Sequence, residues 1–172
     1  MKYKKVALYF VVGAFTLVSG CDSGIVPGSG AFKRIPETFS SNGERIYYTG
    51  TSSTGQVIQT RGGDTHMNMH RQMHGGGCAS CHGVDREGGR LMPRFWIKAP
   101  ALTKAALTSS GGHKHGKNAA QNHEIYDEKS LREAVINGIN PAGEPLDGAM
   151  PRWIMAEEDL RDLTSYLLSL PE

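Results

Sequence analysis

The sequence predicts a mainly α fold, with a few short helices separated by glycine- and proline-rich loops. Three observations carry that prediction. Near the C-terminus, Leu160, Leu163, Leu167 and Leu170 recur at spacings of three and four, which is one apolar helical face. Asp127 stands as an N-cap before a second such pattern, Leu131, Val135 and Ile136, which stops at Gly138. Between the N-terminal region and these helices, Cys78-Ala79-Ser80-Cys81-His82 places two thiols and an imidazole within about one helical turn.

The chain opens with Lys2, Lys4 and Lys5 ahead of an apolar run over residues 6–18, the n-region and h-region of a secretory signal. A transmembrane anchor is the alternative, and the run is short for one, where about 20 residues are needed. It ends in Val18-Ser19-Gly20-Cys21, which resembles a bacterial lipobox. That resemblance implies that residues 1–20 are a lipoprotein signal peptide and that Cys21 is the lipidated N-terminus of the mature chain. Asp22 resembles the signal for inner-membrane retention in enteric bacteria, so the inner membrane is slightly favoured. Residues 21–42, with Gly24, Pro27, Gly28, Ser29 and Gly30, read as a flexible tether. A coil of that length has a root-mean-square span of roughly 25 Å.

The elements that follow are short. Gly43 begins a helix with Ile46 and Tyr47 as its apolar face. Residues 49–77 form a Gly-, Thr- and Ser-rich insertion without clear period, in which Val57 and Ile58 suggest a short strand in a hairpin. Residues 83–100 read as loop, broken by Gly83, Gly88, Gly89, Pro93 and Pro100. A short helix is expected over 104–107, a loop over 111–117, the Asp127-capped helix, a loop over 140–151, and the last helix over 157–170. Glu157, Glu158 and Asp159 suit the positive end of that helix dipole.

C-x-x-C-H is the attachment pattern of a c-type haem. Two thiols add across the two porphyrin vinyl groups, and the next residue, His82, reaches the iron from the same side. A C-x-x-C pair alone also suits a redox dithiol or half of a zinc site. Zinc would need two further ligands, and no second C-x-x-C occurs. The lipid on Cys21 and one haem on Cys78 and Cys81 account for all three cysteines.

These pieces resemble the class I c-type cytochromes. Gly43-x-x-x-Tyr47 is similar to the glycine–aromatic pair of that family's first helix, where the glycine permits a close crossing with the last helix, here near Leu163 and Tyr166. Ala99-Pro100-Ala101-Leu102-Thr103 is similar to the loop whose proline carbonyl accepts the proximal histidine's Nδ1–H. Gly148-Ala149-Met150-Pro151-x-Trp153 resembles the loop that supplies the sixth ligand. The resemblance covers about residues 43–170, within a cytochrome domain over 43–172, and implies one covalent haem c, axial ligands His82 and Met150, and Pro100, Met92 and Trp153 around the haem. The departure is the 49–77 insertion. Leu91-Met92-Pro93-Arg94-Phe95-Trp96 echoes the methionine loop. Met92, only ten residues after His82, would have to wrap a short loop around the ring, whereas Met150 has ample chain to cross to the opposite face.

Within the insertion, His66, His70 and His74 would share one face of a helix, with Met69 and Met73 nearby. Imidazole and thioether together suit copper. A solvated segment whose methionines rest on the haem is the alternative. His113, His115 and His123 are a looser set.

Without the leader the chain carries 16 basic and 17 acidic side chains, which with its export gives no support to nucleic-acid binding. The charge is unevenly spread: nine basic against three acidic over residues 61–117, and four against eleven over 118–172. Arg86, Arg90, Arg94, Lys98 and Lys104 follow the haem motif and would steer an acidic redox partner. The expected function is a membrane-anchored, periplasmic mono-haem cytochrome carrying single electrons between respiratory proteins, with no small-molecule substrate. The alternatives are a haem enzyme, a peroxidase or small-molecule reductase, with a displaceable methionine, and a copper-handling protein.

Overall fold

Helix α1 (Asn42–Thr49) starts where Ser41 accepts the amide of Glu44 at 3.1 Å, and ends at Gly50, whose left-handed conformation returns its N–H to the carbonyl of Ile46 at 2.9 Å. The computed structural model describes residues 35–63, 65, 68–69, 76–91, 96–109 and 125–169. Along these follow β1 (Gln59–Arg61), α2 (Ala79–His82), β2 (Gly89–Arg90), β3 (Lys98–Ala99), α3 (Lys104–Thr108), α4 (Glu128–Ile136), β4 (Arg152–Ile154) and α5 (Glu157–Ser169). Asp127 caps α4 in a reciprocal capping box with Ser130, and those hydrogen bonds hold its carboxyl below the usual carboxylate range. The mainly α expectation holds, with the helices at the places the sequence marks.

The core forms where α1 crosses α5. Ile46, Tyr47, Leu163 and Leu167 are almost wholly buried there, each stabilising the fold by about 1.5–3 kcal/mol. Gly43 makes the crossing close: a Cβ on it would lie 2.0 Å from the Asp162 carbonyl oxygen and 2.8 Å from Tyr166 Cβ. One residue earlier, the Asn42 side-chain amide donates to both Asp159 (2.9 Å) and Asp162 (2.8 Å), fastening the crossing at its polar edge. Ile35 and Phe39, in the segment expected to be tether, pack partly buried against this core. Helix α4 lies on α5 through Leu131 and Val135.

The strands differ from the sequence expectation. Thr51 bridges Val57 and closes a small local turn, but the strand is Gln59–Arg61 and its partner is distant. β1 pairs antiparallel with β4, with Thr60 opposite Trp153 and Arg61 opposite Arg152. Part of the insertion therefore braces the chain just after Met150. The stretch expected to be plain loop before Pro100 holds a second ladder, β2 with β3, in which Gly89 faces Ala99 and Arg90 faces Lys98. Strands of two or three residues are too short to show a period.

Candidate functional site

Helix α2 is a single turn with Cys78 at its N-cap, and His82 N–H bonds to the Cys78 carbonyl at 2.9 Å. Its position is set by α1. Gly77 packs so tightly under α1 that a Cβ would fall 2.1 Å from the Ile46 carbonyl oxygen. Beyond the turn, Tyr47 Oη donates to the Gly83 carbonyl at 2.7 Å and Tyr48 Oη to that of Val84 at 3.0 Å. Burial pushes the Tyr47 phenol far above its ordinary pKa, so it remains a donor.

His82 is buried, and its Nδ1 lies 2.7 Å from the Pro100 carbonyl oxygen. A carbonyl can only accept, so Nδ1 carries the proton and Nε2 the lone pair. Burial holds the imidazole below the ordinary histidine pKa, against the opposing effect of the Pro100 bond. The ring is thus neutral, oriented and ready to bind a metal.

Cys78, Cys81 and His82 line a cavity of about 1300 Å³, and Met150, Pro100 and Trp153 line the same cavity. No disulfide joins the two cysteines. Apolar walls come from Leu102 and Leu107 in and before α3, Leu131 and Val135 of α4, and Leu167 of α5. Arg90 and Lys98, opposite each other on the β2–β3 ladder, stand with Glu87 at the rim. Arg86 departs from the expected basic rim: its guanidinium donates to Tyr166 Oη at 3.0 Å and lies over that ring. Two thiols, a neutral imidazole and a thioether around one large apolar cavity form a donor set that fits a covalently attached haem.

Met92, Arg94, Cys21, His66, His70, Met73 and His74 lie outside the described residues; Met69 is exposed. Among the described residues no three His, Cys, Asp or Glu side chains converge on a metal site, and no helix is long and apolar enough to cross a membrane. The sequence reading missed Arg152, which bonds the carbonyls of Met150 and Leu146. It sits at the unread position of Met150-Pro151-x-Trp153. Gly77 and the Tyr48 hydroxyl were also missed; nothing in spacing alone marks them.

This arrangement defines a haem protein of the c type. The family model for cytochrome c matches residues 40–171, and the chain belongs to that family, whose members are haem-binding electron-transfer proteins. Membership implies covalent haem c, and Cys78 and Cys81 have the C-x-x-C-H spacing for it. No match was found among curated proteins or among solved structures.

Proposed function

We propose that this is a class I mono-haem cytochrome that carries single electrons and performs no substrate chemistry. The haem would be attached at Cys78 and Cys81 and bound axially by His82 and Met150. The observation that carries this reading is the shared cavity: a neutral His82, oriented by Pro100, lines it together with both cysteines and Met150. The haem supplies a one-electron Fe(III)/Fe(II) couple. Pro100 holds the His82 ring and raises its basicity, the apolar walls would shield the bound group from water, and Met150 would supply the second ligand to the iron. With both ligands supplied by the chain, peroxide, nitrite or oxygen would have no place to bind, which favours a carrier over a haem enzyme.

Residues 1–20 and Cys21 support export and lipid anchoring on the periplasmic side of a bacterial membrane, with the inner membrane slightly favoured. Acid–acetone extraction of the membrane-derived protein should leave the pigment on the chain, and peptide masses should place haem on Cys78 and Cys81 and acyl chains on Cys21. Free haem in the organic layer, or two irons per chain, contradicts the haem assignment; an unmodified Cys21 contradicts the anchor.

The partner is a redox protein with an acidic docking face. Arg90 and Lys98 support this, because both stand exposed, opposite each other, at the cavity rim. Exposed charges are screened beyond about 8 Å at physiological salt, so electron transfer to the partner should slow as salt rises. Changing Arg90 and Lys98 to glutamate should reduce the bimolecular rate far more at low than at high salt. A salt-independent wild-type rate would mean apolar docking.

A further inference from the structure

Residues 146–152 form a loop whose two ends are tied to one side chain. Arg152 Nη1 donates to the Met150 carbonyl at 2.5 Å, and Nη2 to the Leu146 carbonyl at 3.3 Å. The guanidinium rests on Gly138, where a Cβ would fall 1.8 Å from Nε and 1.9 Å from Cζ. Gly138 has φ +69° just past α4, and its own carbonyl accepts the Leu146 amide at 2.7 Å. The backbone of Arg152 is fixed in turn by the β1–β4 ladder. Inside the loop, the Asp147 carboxylate accepts the Ala149 amide at 2.8 Å, and its carbonyl accepts the Met150 amide at 3.1 Å. Both backbone polar groups of Met150 are therefore held, one by Asp147 and the other by Arg152.

We propose that Arg152 is the positioning residue of the methionine loop, holding Met150 in place against the cavity. The proposal rests on the reading of Met150 as an axial ligand. A thioether is an uncharged, flexible donor, and a loop fixed in advance removes the entropy cost of placing it. The planar fork of arginine reaches two carbonyls four residues apart, which the single ammonium of lysine does not reproduce, and its charge is permanent at accessible pH. The space above Gly138 is what admits the fork.

The test uses the full haem-loaded protein with Arg152→Met and Arg152→Lys. Four quantities are read: the weak sulfur–iron absorption of the oxidised state, the affinity for added imidazole, amide exchange over residues 147–150, and the urea midpoint. Both variants should lose much of the sulfur–iron absorption and bind imidazole about tenfold tighter or more, with comparably faster exchange at Met150, as the loss of one or both of the carbonyl bonds predicts. A wild-type-like Arg152→Lys would show that charge acts rather than the fork, and would overturn the proposal. So would a lower urea midpoint with unchanged imidazole affinity in both variants, since that is a merely structural role. If Arg152→Met does not retain haem, Arg152→Gln is the milder replacement with the same expected direction. Met150→Ala separates the two readings. If it gains imidazole binding while the Arg152 variants do not, the clamp is wrong and the ligand stands. If it gains none, the ligand assignment fails and the clamp fails with it.

Discussion

Gly43→Ala should leave most of the protein unfolded, or lower its urea midpoint by the equivalent of about 3 kcal/mol or more, beyond the usual cost of overpacking. The added Cβ would sit 2.0 Å from the Asp162 carbonyl oxygen and 2.6 Å from its carbon. Those are backbone atoms in the middle of α5, so no rotamer change can make room. The helices must move apart, and every side chain buried between them loses contact, including Ile46, Tyr47, Leu163 and Leu167. Asn42 would also be drawn away from Asp159 and Asp162. A domain whose whole stability is about 5–15 kcal/mol has little margin for this. Gly148→Ala is the matched control, since its Cβ would meet nothing within 4 Å. If the two variants melt alike, the close crossing does not limit the fold.

The parts of this fold visible in the sequence are those governed by local rules. The period of Leu160, Leu163 and Leu167 and the cap at Asp127 follow from helix geometry, and both helices form where those signals stand. Within the site, the C-x-x-C-H turn is likewise local, whereas the Pro100 carbonyl, 18 residues from His82, is legible only through the family resemblance, and His82 Nδ1 does meet it. What stayed hidden depends on contacts between distant residues. Gln59 and Thr60 carry no sign that their partners are Ile154 and Trp153, because a three-residue strand has no period and its register is set by tertiary packing. Arg152 looks like any solvated cation until the fold brings Gly138 beneath it. Proximity in sequence places Arg86 with the basic rim, yet a left-handed backbone at φ 63° accompanies its turn toward Tyr166. Charge counts along a chain say nothing about which way each side chain leaves the backbone.

The oxidised Met150→Ala protein should lose its sulfur–iron absorption, bind cyanide and imidazole readily, and show a reduction potential lower by something on the order of 0.2 V, a fraction of the roughly 0.8 V that axial ligands span. A thioether is a soft ligand that favours Fe(II). Alanine offers no donor, and a water-derived oxygen, which is harder and favours Fe(III), can take the position. The fold should survive, because Met150 is only half-buried and its backbone remains held by Asp147 and Arg152. The stability loss should therefore fall toward or below the lower end of the roughly 2–5 kcal/mol typical of Met→Ala in cores. Ligand binding without unfolding is thus the diagnostic outcome. Met92 is the competing thioether: its neighbours Leu91 and Trp96 line the same cavity, and its sequence context echoes that of Met150. The chain between His82 and Met92 is short, and it is further shortened in reach by the β2 turn and by Gly88 N–H bonding back to the His82 carbonyl at 2.9 Å. Met150 instead arrives on a separate loop between α4 and β4, tied through Leu146 to the Gly138 carbonyl and to Arg152. Met92→Ala should accordingly leave the absorption and the cyanide affinity close to those of the wild type. If it abolishes the absorption while Met150→Ala preserves it, the sixth ligand is Met92, and the loop held by Arg152 serves some other purpose.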